Sequence, residues 1–403
     1  MPEAVIVAVA RSPIGRAFKG SLMTLRSDEM AAQIVRSVLA QVPQLPVGEI
    51  EDLLLGCGAP GGEQGFNMAR VVSILAGLDH VGGTTVNRYC SSSLQTIRMA
   101  AHAIRAGEGD AYIAAGVENV SRFVTGNSDT VPGTTNTSFD DAHARSQMRS
   151  DGGAPIWSPA SGLADVYIAM GQTAENVAQI ECVGRVAMDE YAAESQQRAG
   201  RAVATGFFER DITPVTLPDG VVVSRDDGPR PDTTVEALGR LRPAFRPDGT
   251  VTAGNSCPLN DGAAAVVVMS DVRARQLGIT PLARVVSSAV TALNPEIMGL
   301  GPVESCRLAM RRAAMTIGDV DLVEINEAFA AQVIPSMRHL GIRRDRLNVH
   351  GGAIALGHPF GMTGARIMTT LIHGLQETGG TIGMESMCVG GGQGMAMIIE
   401  RLS

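Results

Sequence analysis

Apolar positions run along this chain in two rhythms: short unbroken runs alternate with stretches where apolar residues recur every three or four positions. Val5–Ala10 is an unbroken run and predicts a buried strand, whereas Glu29-Met30-Ala31-Ala32-Gln33-Ile34-Val35, after Asp28, predicts a helix. Glu51–Cys57 predicts the next strand. It is followed by a Gly/Pro loop over Ala59–Gly65, a helix from Asn67 to Leu78 and a short strand at Thr84–Asn87. A small-residue helix runs through Met99–Arg105, and Ala111–Val117 predicts another strand. Strands alternating with helices imply a mixed or parallel sheet covered on both faces.

From about Ser121 the texture changes. Residues 122–160 are rich in Gly, Ser, Thr and Asp and read as a long irregular excursion. Helices are predicted from Met170 and over Ala187–Thr205, with a hairpin turn at Asp219-Gly220. We therefore expect residues 121–250 to form an inserted lid or loop domain. It would separate a first half, 1–120 completed by about 251–273, from a second half, 274–403. The second half repeats the opening theme: Asp321–Asn326 matches Glu51–Cys57 in placement, and Asn348–Gly352 with the helix Ala365–Leu375 echoes the segment around Cys90. Strands Ile382–Cys388 and Met395–Glu400 close the copy, so the chain reads as two duplicated α/β halves.

Composition narrows this picture. Hydrophobic residues make up 45% of the 403, yet aromatics only 3%, so the cores must be packed with Ala, Val, Ile, Leu and Met. The net charge is −8 and no basic block occurs, which argues against nucleic acid and anionic membrane as partners. The six cysteines form no CxxC pair and no zinc spacing, so no metal is expected. No span is long and uncharged enough to cross a bilayer, and the N-terminus lacks an export pattern; a cytoplasmic protein is expected.

Chemistry concentrates in four segments. Val86-Asn87-Arg88-Tyr89-Cys90-Ser91-Ser92-Ser93-Leu94-Gln95 reads as a strand end, a turn and a helix start. That places Cys90 where unpaired N–H groups and the helix dipole favour a thiolate. The others are Asn326-Glu327-Ala328-Phe329-Ala330, the glycine-rich Gly351–Gly361 around His358, and Cys388-Val389-Gly390-Gly391-Gly392-Gln393-Gly394. If the halves are duplicates, equivalent turns meet about a pseudo-twofold axis, and Cys90 faces His358 and Cys388. His358, between Gly357 and Pro359, is no ordinary helix-face residue, and His350 is placed to support it. Cys57, Cys182 and Cys306 read as packing, and Glu327 as a structural contact rather than a base. The final glycine loop lacks the lysine and helix of a nucleotide loop.

These four motifs, in order and with Arg11-Ser12-Pro13-Ile14-Gly15 near the start, resemble the thiolase family along nearly the full length. The resemblance implies a five-layer αβαβα core with an inserted lid, and ping-pong acyl transfer between a 3-ketoacyl-CoA and CoA. It implies that His358 takes the proton of Cys90, that the resulting thiolate is acylated, and that Cys388 serves as acid and base. One oxyanion pocket would come from His358 and a water on Asn326, the other from the N–H groups of Cys90 and Gly390. Coenzyme A and acyl-CoA would be substrates, with no resident cofactor. The resemblance places Arg230 at the nucleotide end, Ala253, Gly254, Ser256 and Cys257 along the pantetheine arm, and Met170, Met298 and Phe329 around the acyl end. It also implies a homodimer or homotetramer. The chain departs from the family pattern at Ser93, Cys257-Pro258 and Ala169, which bears on substrate range. The Asn-Arg-x-Cys-Ser-Ser turn leans towards degradative members. The alternative within the family is acetoacetyl-CoA synthesis from two acetyl-CoA. A decarboxylating condensing enzyme would carry His or Asn in place of Cys388, and a non-catalytic lipid-binding relative would lack a catalytic residue.

Overall fold

Strand β1 (Ala4–Arg11) is buried along its whole length, as an unbroken apolar run requires. The structure is a computed structural model that describes residues 1–125, 129 and 131–403. After β1 come the two-residue β2 (Gly15–Arg16), α1 (Ser27–Ala40), β3 (Ile50–Gly56), α2 (Met68–Leu75), β4 (Gly82–Val86), α3 (Ser92–Ala106) and β5 (Ala111–Asn119). The chain then leaves the sheet for α4 (Asp140–Ser150), α5 (Met170–Ile180) and α6 (Arg185–Ala204). A small hairpin of β6 (Val215–Thr216) and β7 (Val222–Val223) follows, then α7 (Val235–Gly239). It returns with β8 (Asn260–Ser270), α8 (Asp271–Gln276), β9 (Ala283–Ala292), α9 (Gly301–Ala313) and β10 (Leu322–Ile325). The last elements are α10 (Ala330–Leu340), α11 (Ala353–Leu356), α12 (Thr363–Thr378), β11 (Ile382–Val389) and β12 (Gln393–Arg401).

The duplication is visible in the pairing. In the first half the strands lie in the order β4-β3-β5-β8-β1, with β3 parallel to β4 and β5, and β8 antiparallel to β5 and β1. In the second half the order is β10-β11-β12-β9, with β10 parallel to β11 and β12 antiparallel to its neighbours. A single parallel bridge from Val323 to Leu347 stands where β4 stands in the first half. The expected second-half counterpart of the Thr84–Asn87 strand is thus shorter than Asn348–Gly352 suggested. The two sheets join edge to edge at Val5–Arg284 and Ile6–Ala283.

Helices fill the layers in register with this repeat. The outer face of the first sheet packs on α1 and α2 through Val35, Val38, Leu53 and Val72. The outer face of the second packs on α9 and α10 through Cys306, Val333, Val323 and Ile398. Between the sheets, α3 and α12 pack on each other, and one apolar cluster continues from Ile6 and Val266 through Leu94, Ile97, Ile367 and Leu371 to Met387 and Met397. The five layers are therefore helix, sheet, helix, sheet, helix.

Two local outcomes differ from the sequence expectation. Helix α4 forms inside the stretch read as irregular; Asp140 and Asp141 suit its N-terminal turn, and Ala142 and Ser146, one turn apart, are its buried residues. So narrow a buried stripe leaves little periodicity to detect. At Asp219-Gly220 the hairpin forms as expected, with Gly220 at φ +84° and its N–H donating to Leu217 O.

Candidate active site

Cys90 sits in a single 3-10 turn, Tyr89–Ser91, between β4 and α3. The helix itself starts at Ser92, so Cys90 precedes α3 rather than opening it. Tyr89 is held at φ +43°, unusual for a residue with a side chain, by donating its N–H to Asn87 Oδ1 at 2.8 Å. Arg88 N–H donates to Ser92 Oγ at 2.9 Å, closing the turn, which packs on β11. The N–H groups of Gly390 and of Cys90 itself point at the sulfur and favour its anion, but burial outweighs them and pushes the thiol up to about 12. The thiolate expected from the helix position is therefore not the resting state. Cys257 and Cys388 lie close enough to be raised by the neighbouring thiol charge as well as by burial.

His358 lies between α11 and α12. Its N–H donates to Asn260 Oδ1 at 3.0 Å, and Gly357, at φ +113°, lets the backbone pass so close that a Cβ would meet Asn260 Cγ at 2.5 Å. The Thr363 hydroxyl donates to Pro359 O at 2.7 Å, so its oxygen accepts from His358 Nδ1 at 2.6 Å. That leaves Nε2 bare, facing Asn326 Nδ2 at 3.3 Å. Burial, helped by the Arg366 charge, pushes the imidazole down to about 3, so it is neutral and able to take a proton. Asn326 follows β10 and is fixed by its N–H to Ser386 O at 2.9 Å, two residues before Cys388 on the adjacent strand. The ring of Phe360 meets His358 edge-on at 5.2 Å and also faces the cavity above Cys90.

That cavity holds about 400 Å³ and is lined by Tyr89, Cys90, Asp129, Thr134, Thr135, Val166, Tyr167, Ile168, Met170, Phe360, Gly390 and Gly391. Met298 and Phe329, expected at the acyl end, are not among those lining residues; both are buried in the cluster that Met170 packs against. The segment 253–257 is laced to the Asn326 segment: Ala330 N–H donates to Asn255 O at 2.9 Å, Cys257 N–H to Ala328 O at 3.0 Å, and Ser256 pairs with Phe329. Ser256 Oγ donates to Thr252 O at 2.6 Å, Ala253 is exposed, and Gly254 sits where a Cβ would meet Leu238 and Leu241 at 2.6 Å. Arg230 is exposed, its backbone N–H held by Gln196 Oε1 at 2.7 Å. Its loop is pinned by Arg11, which donates to both carboxylate oxygens of Asp226 at 2.8 and 3.0 Å.

Several supporting residues carry no sequence signal of their own. Thr363 and Asn260 orient His358. Buried Glu118, at the end of β5, accepts from the N–H groups of Gly58 at 2.7 Å, Ala59 at 3.3 Å and Gly361 at 2.9 Å, and from Gln64 Nε2 at 2.7 Å. It thereby fastens the loop that carries His358. Glu327 is structural, as read: it accepts from Tyr191 Oη at 2.9 Å, Ser195 Oγ at 2.6 Å and Asn348 Nδ2 at 2.9 Å. His350 pairs with Glu377 and stacks on Phe207 at 3.6 Å, engaged away from His358.

The chain matches the family description "Thiolase, N-terminal domain" over residues 4–272 and "Thiolase, C-terminal domain" over 279–401. It is 43% identical to a 3-ketoacyl-CoA thiolase of Bacillus subtilis (strain 168), covering 99% of this chain and 100% of the relative. It is 42% identical to a beta-ketoadipyl-CoA thiolase of Pseudomonas aeruginosa, covering 99% of each. Among solved structures, the crystal structure of the Bacillus anthracis acetyl-CoA acetyltransferase superposes with a TM-score of 0.86 at 36% identity, covering 100% of this chain and 99% of that one. With a doubled five-layer core, a cysteine under a glycine loop and both family domains matched end to end, the chain belongs to the thiolase family of acyltransferases.

Proposed function

We propose that the chain cleaves 3-ketoacyl-CoA thiolytically and reversibly, through an acyl-Cys90 intermediate. The observation that carries this is the convergence of the Gly390 N–H on Cys90 Sγ beside a second buried thiol, Cys388. Cys90 Sγ attacks the 3-keto carbon while His358 Nε2 takes its proton, because a thiol this basic is activated only as the bond forms. The C2–C3 bond then breaks, and Cys388 protonates the departing enolate to give acetyl-CoA. CoA thiol then gives its proton to the Cys388 thiolate and attacks the acyl-Cys90 carbonyl; the Cys90 C–S bond breaks, its sulfur takes back the proton held by His358, and CoA leaves with the shortened acyl group. The N–H groups of Cys90 and Gly390 stabilise one oxyanion, and His358 with a water on Asn326 the other.

Arg230 is exposed where a nucleotide phosphate can reach it, and the laced segment 253–257 offers a rigid wall for the pantetheine arm, with the excursion 121–250 as lid. The cavity above Cys90 is roomy for an acetyl group, which favours longer acyl chains over acetoacetyl-CoA synthesis. No helix among the described residues is long and apolar enough to cross a membrane. We place the protein in the cytoplasm and read it as a homodimer or homotetramer; the assembly is supported by Phe66, 93% exposed next to Asn67, whose side chain bonds the edge strand β4 at Gly83.

The test is mass spectrometry of acyl-CoA-treated enzyme together with CoA-dependent cleavage of 3-ketoacyl-CoAs from four carbons upwards. We expect one acyl mass on the Cys90 peptide, and Cys388→Ala that still acylates but exchanges no α-proton. Acyl groups on another cysteine would sink the nucleophile assignment, and activity confined to four carbons would favour the synthetic reading.

A further inference from the structure

The relatives at 42% identity divide between enzymes named for plain 3-ketoacyl groups and enzymes named for a 3-oxoadipyl group, which ends in a carboxylate. Overall similarity does not separate the two. The cavity above Cys90 bears on that choice. We propose that this cavity selects uncharged acyl chains and rejects acyl groups that end in a carboxylate, with Asp129 as the residue that sets the selection; the proposal rests on the acyl-Cys90 reading above.

The cavity opens from Cys90 and Gly390 past Met170 and Phe360 towards Tyr89, Tyr167 and Asp129. No lysine or arginine is among its described lining residues. The arginine next to the nucleophile, Arg88, is engaged elsewhere: its Nε donates to Gln95 Oε1 at 3.0 Å and its Nη1 to Gln393 Oε1 at 2.8 Å. Tyr89 stands close enough to Asp129 and Tyr167 for their charges to add to burial in holding its phenol up.

A carboxylate brought into such a space loses water and gains no guanidinium or ammonium partner. It also meets the like charge of Asp129, which stands exposed at the mouth of the cavity, so solvent weakens that repulsion without removing it. An alkyl or otherwise neutral chain meets Met170, Ile168, Val166 and Phe360, and it can use the Thr134 and Thr135 hydroxyls without cost.

The matched probes are 3-oxohexanoyl-CoA and 3-oxoadipyl-CoA, of equal carbon number and differing at the terminal carboxylate. With the full-length enzyme we expect kcat/KM for cleavage to favour 3-oxohexanoyl-CoA by about a hundredfold or more. Asp129→Asn should narrow that ratio by about tenfold, chiefly by improving the dicarboxylic substrate. Comparable or better cleavage of 3-oxoadipyl-CoA by the natural chain would overturn the proposal, and an unchanged ratio in Asp129→Asn would remove Asp129 from it. Calorimetric binding of the saturated analogues hexanoyl-CoA and adipyl-CoA keeps this question apart from the reaction. If neither 3-keto substrate is cleaved, the catalytic reading fails. Hexanoyl-CoA binding at least tenfold tighter than adipyl-CoA would still support the cavity's selection, and equal binding would end it.

Discussion

A buried imidazole that must accept a proton needs one nitrogen committed as donor and the other left free. Thr363 does this for His358, because its own hydroxyl proton is given to Pro359 O and its oxygen can therefore only accept from Nδ1. Replacing Thr363 by Val removes that acceptor at nearly constant volume. We expect the Cys90 acylation rate to fall by roughly 10- to 100-fold as the ring loses its fixed tautomer, read by rapid-quench mass spectrometry; an unaltered rate would show that Asn326 alone orients the ring. Since His358 is pushed down to about 3, it stays neutral through the physiological range. The pH profile of kcat/KM should then show no acid limb near the ordinary imidazole value of about 6.5. The catalytic candidates were legible in the sequence because glycines crowd His358 and Cys388, and because Cys90 stands between a strand end and a helix start. Thr363 and Glu118 were not. One looks like an ordinary helix start, and the other finds a backbone partner, Gly361, 243 residues away. The resting protonation of Cys90 was misread for a related reason: the backbone donors are local and visible in sequence, while the desolvation that outweighs them comes from distant parts of the chain.

At the scale of elements, the departure at Ser93 has a structural use. Its Oγ accepts from the N–H of Ala365 at 2.9 Å, a donor in the first turn of α12 that no residue of its own segment satisfies. Ser93→Ala should therefore cost about 1 kcal/mol or somewhat more in unfolding free energy, measured by urea titration; no loss would mean that water replaces the hydroxyl. Strands β10 and β11 carry a second cross-element feature. Glu324 and Glu385 are register partners, both buried, and Arg366 on α12 offsets only part of the cost. Burial holds Glu324 up to about 8, against about 4.3 in an unfolded chain. Between those values the folded chain binds the extra proton, so stability falls as pH rises through that window. The urea midpoint should drop between about pH 5 and about pH 8.5, a span that covers most of that window, and Glu324→Gln should flatten the drop; an equal drop in the variant would place the titration elsewhere. The pairing of these two acids could not be read from sequence, because register is fixed only when the sheet assembles.

For the whole molecule, the apolar cluster shared by α3, α12 and both sheets leaves no solvent-lined boundary between the halves. Calorimetry should show one cooperative transition for the two of them, whereas two well-separated transitions would mean that they are stable alone. Assembly is testable through Phe66: Phe66→Asp should lower the mass seen by light scattering, and an unchanged mass would locate the subunit contact elsewhere. The duplicated plan was readable from the likeness of Asp321–Asn326 to Glu51–Cys57. What pattern alone could not give was which residue of one half touches the other.

The repeat also has an ancestry written into it. Gly56 pairs with Gly116, and Ile325 with Ser386, so counting two residues onward makes Glu118 and Cys388 counterparts across the pseudo-axis. Glu118 grips the His358 loop of the opposite half, while the Gly390 N–H beyond Cys388 reaches Cys90 of the opposite half. A progenitor with one half only would have to cover its inner sheet face with a second copy of itself, and both positions would then carry the same residue. Joining the copies in one polypeptide releases them from that identity: Glu118 serves as an anchor, and Cys388 is free for the proton transfer proposed above.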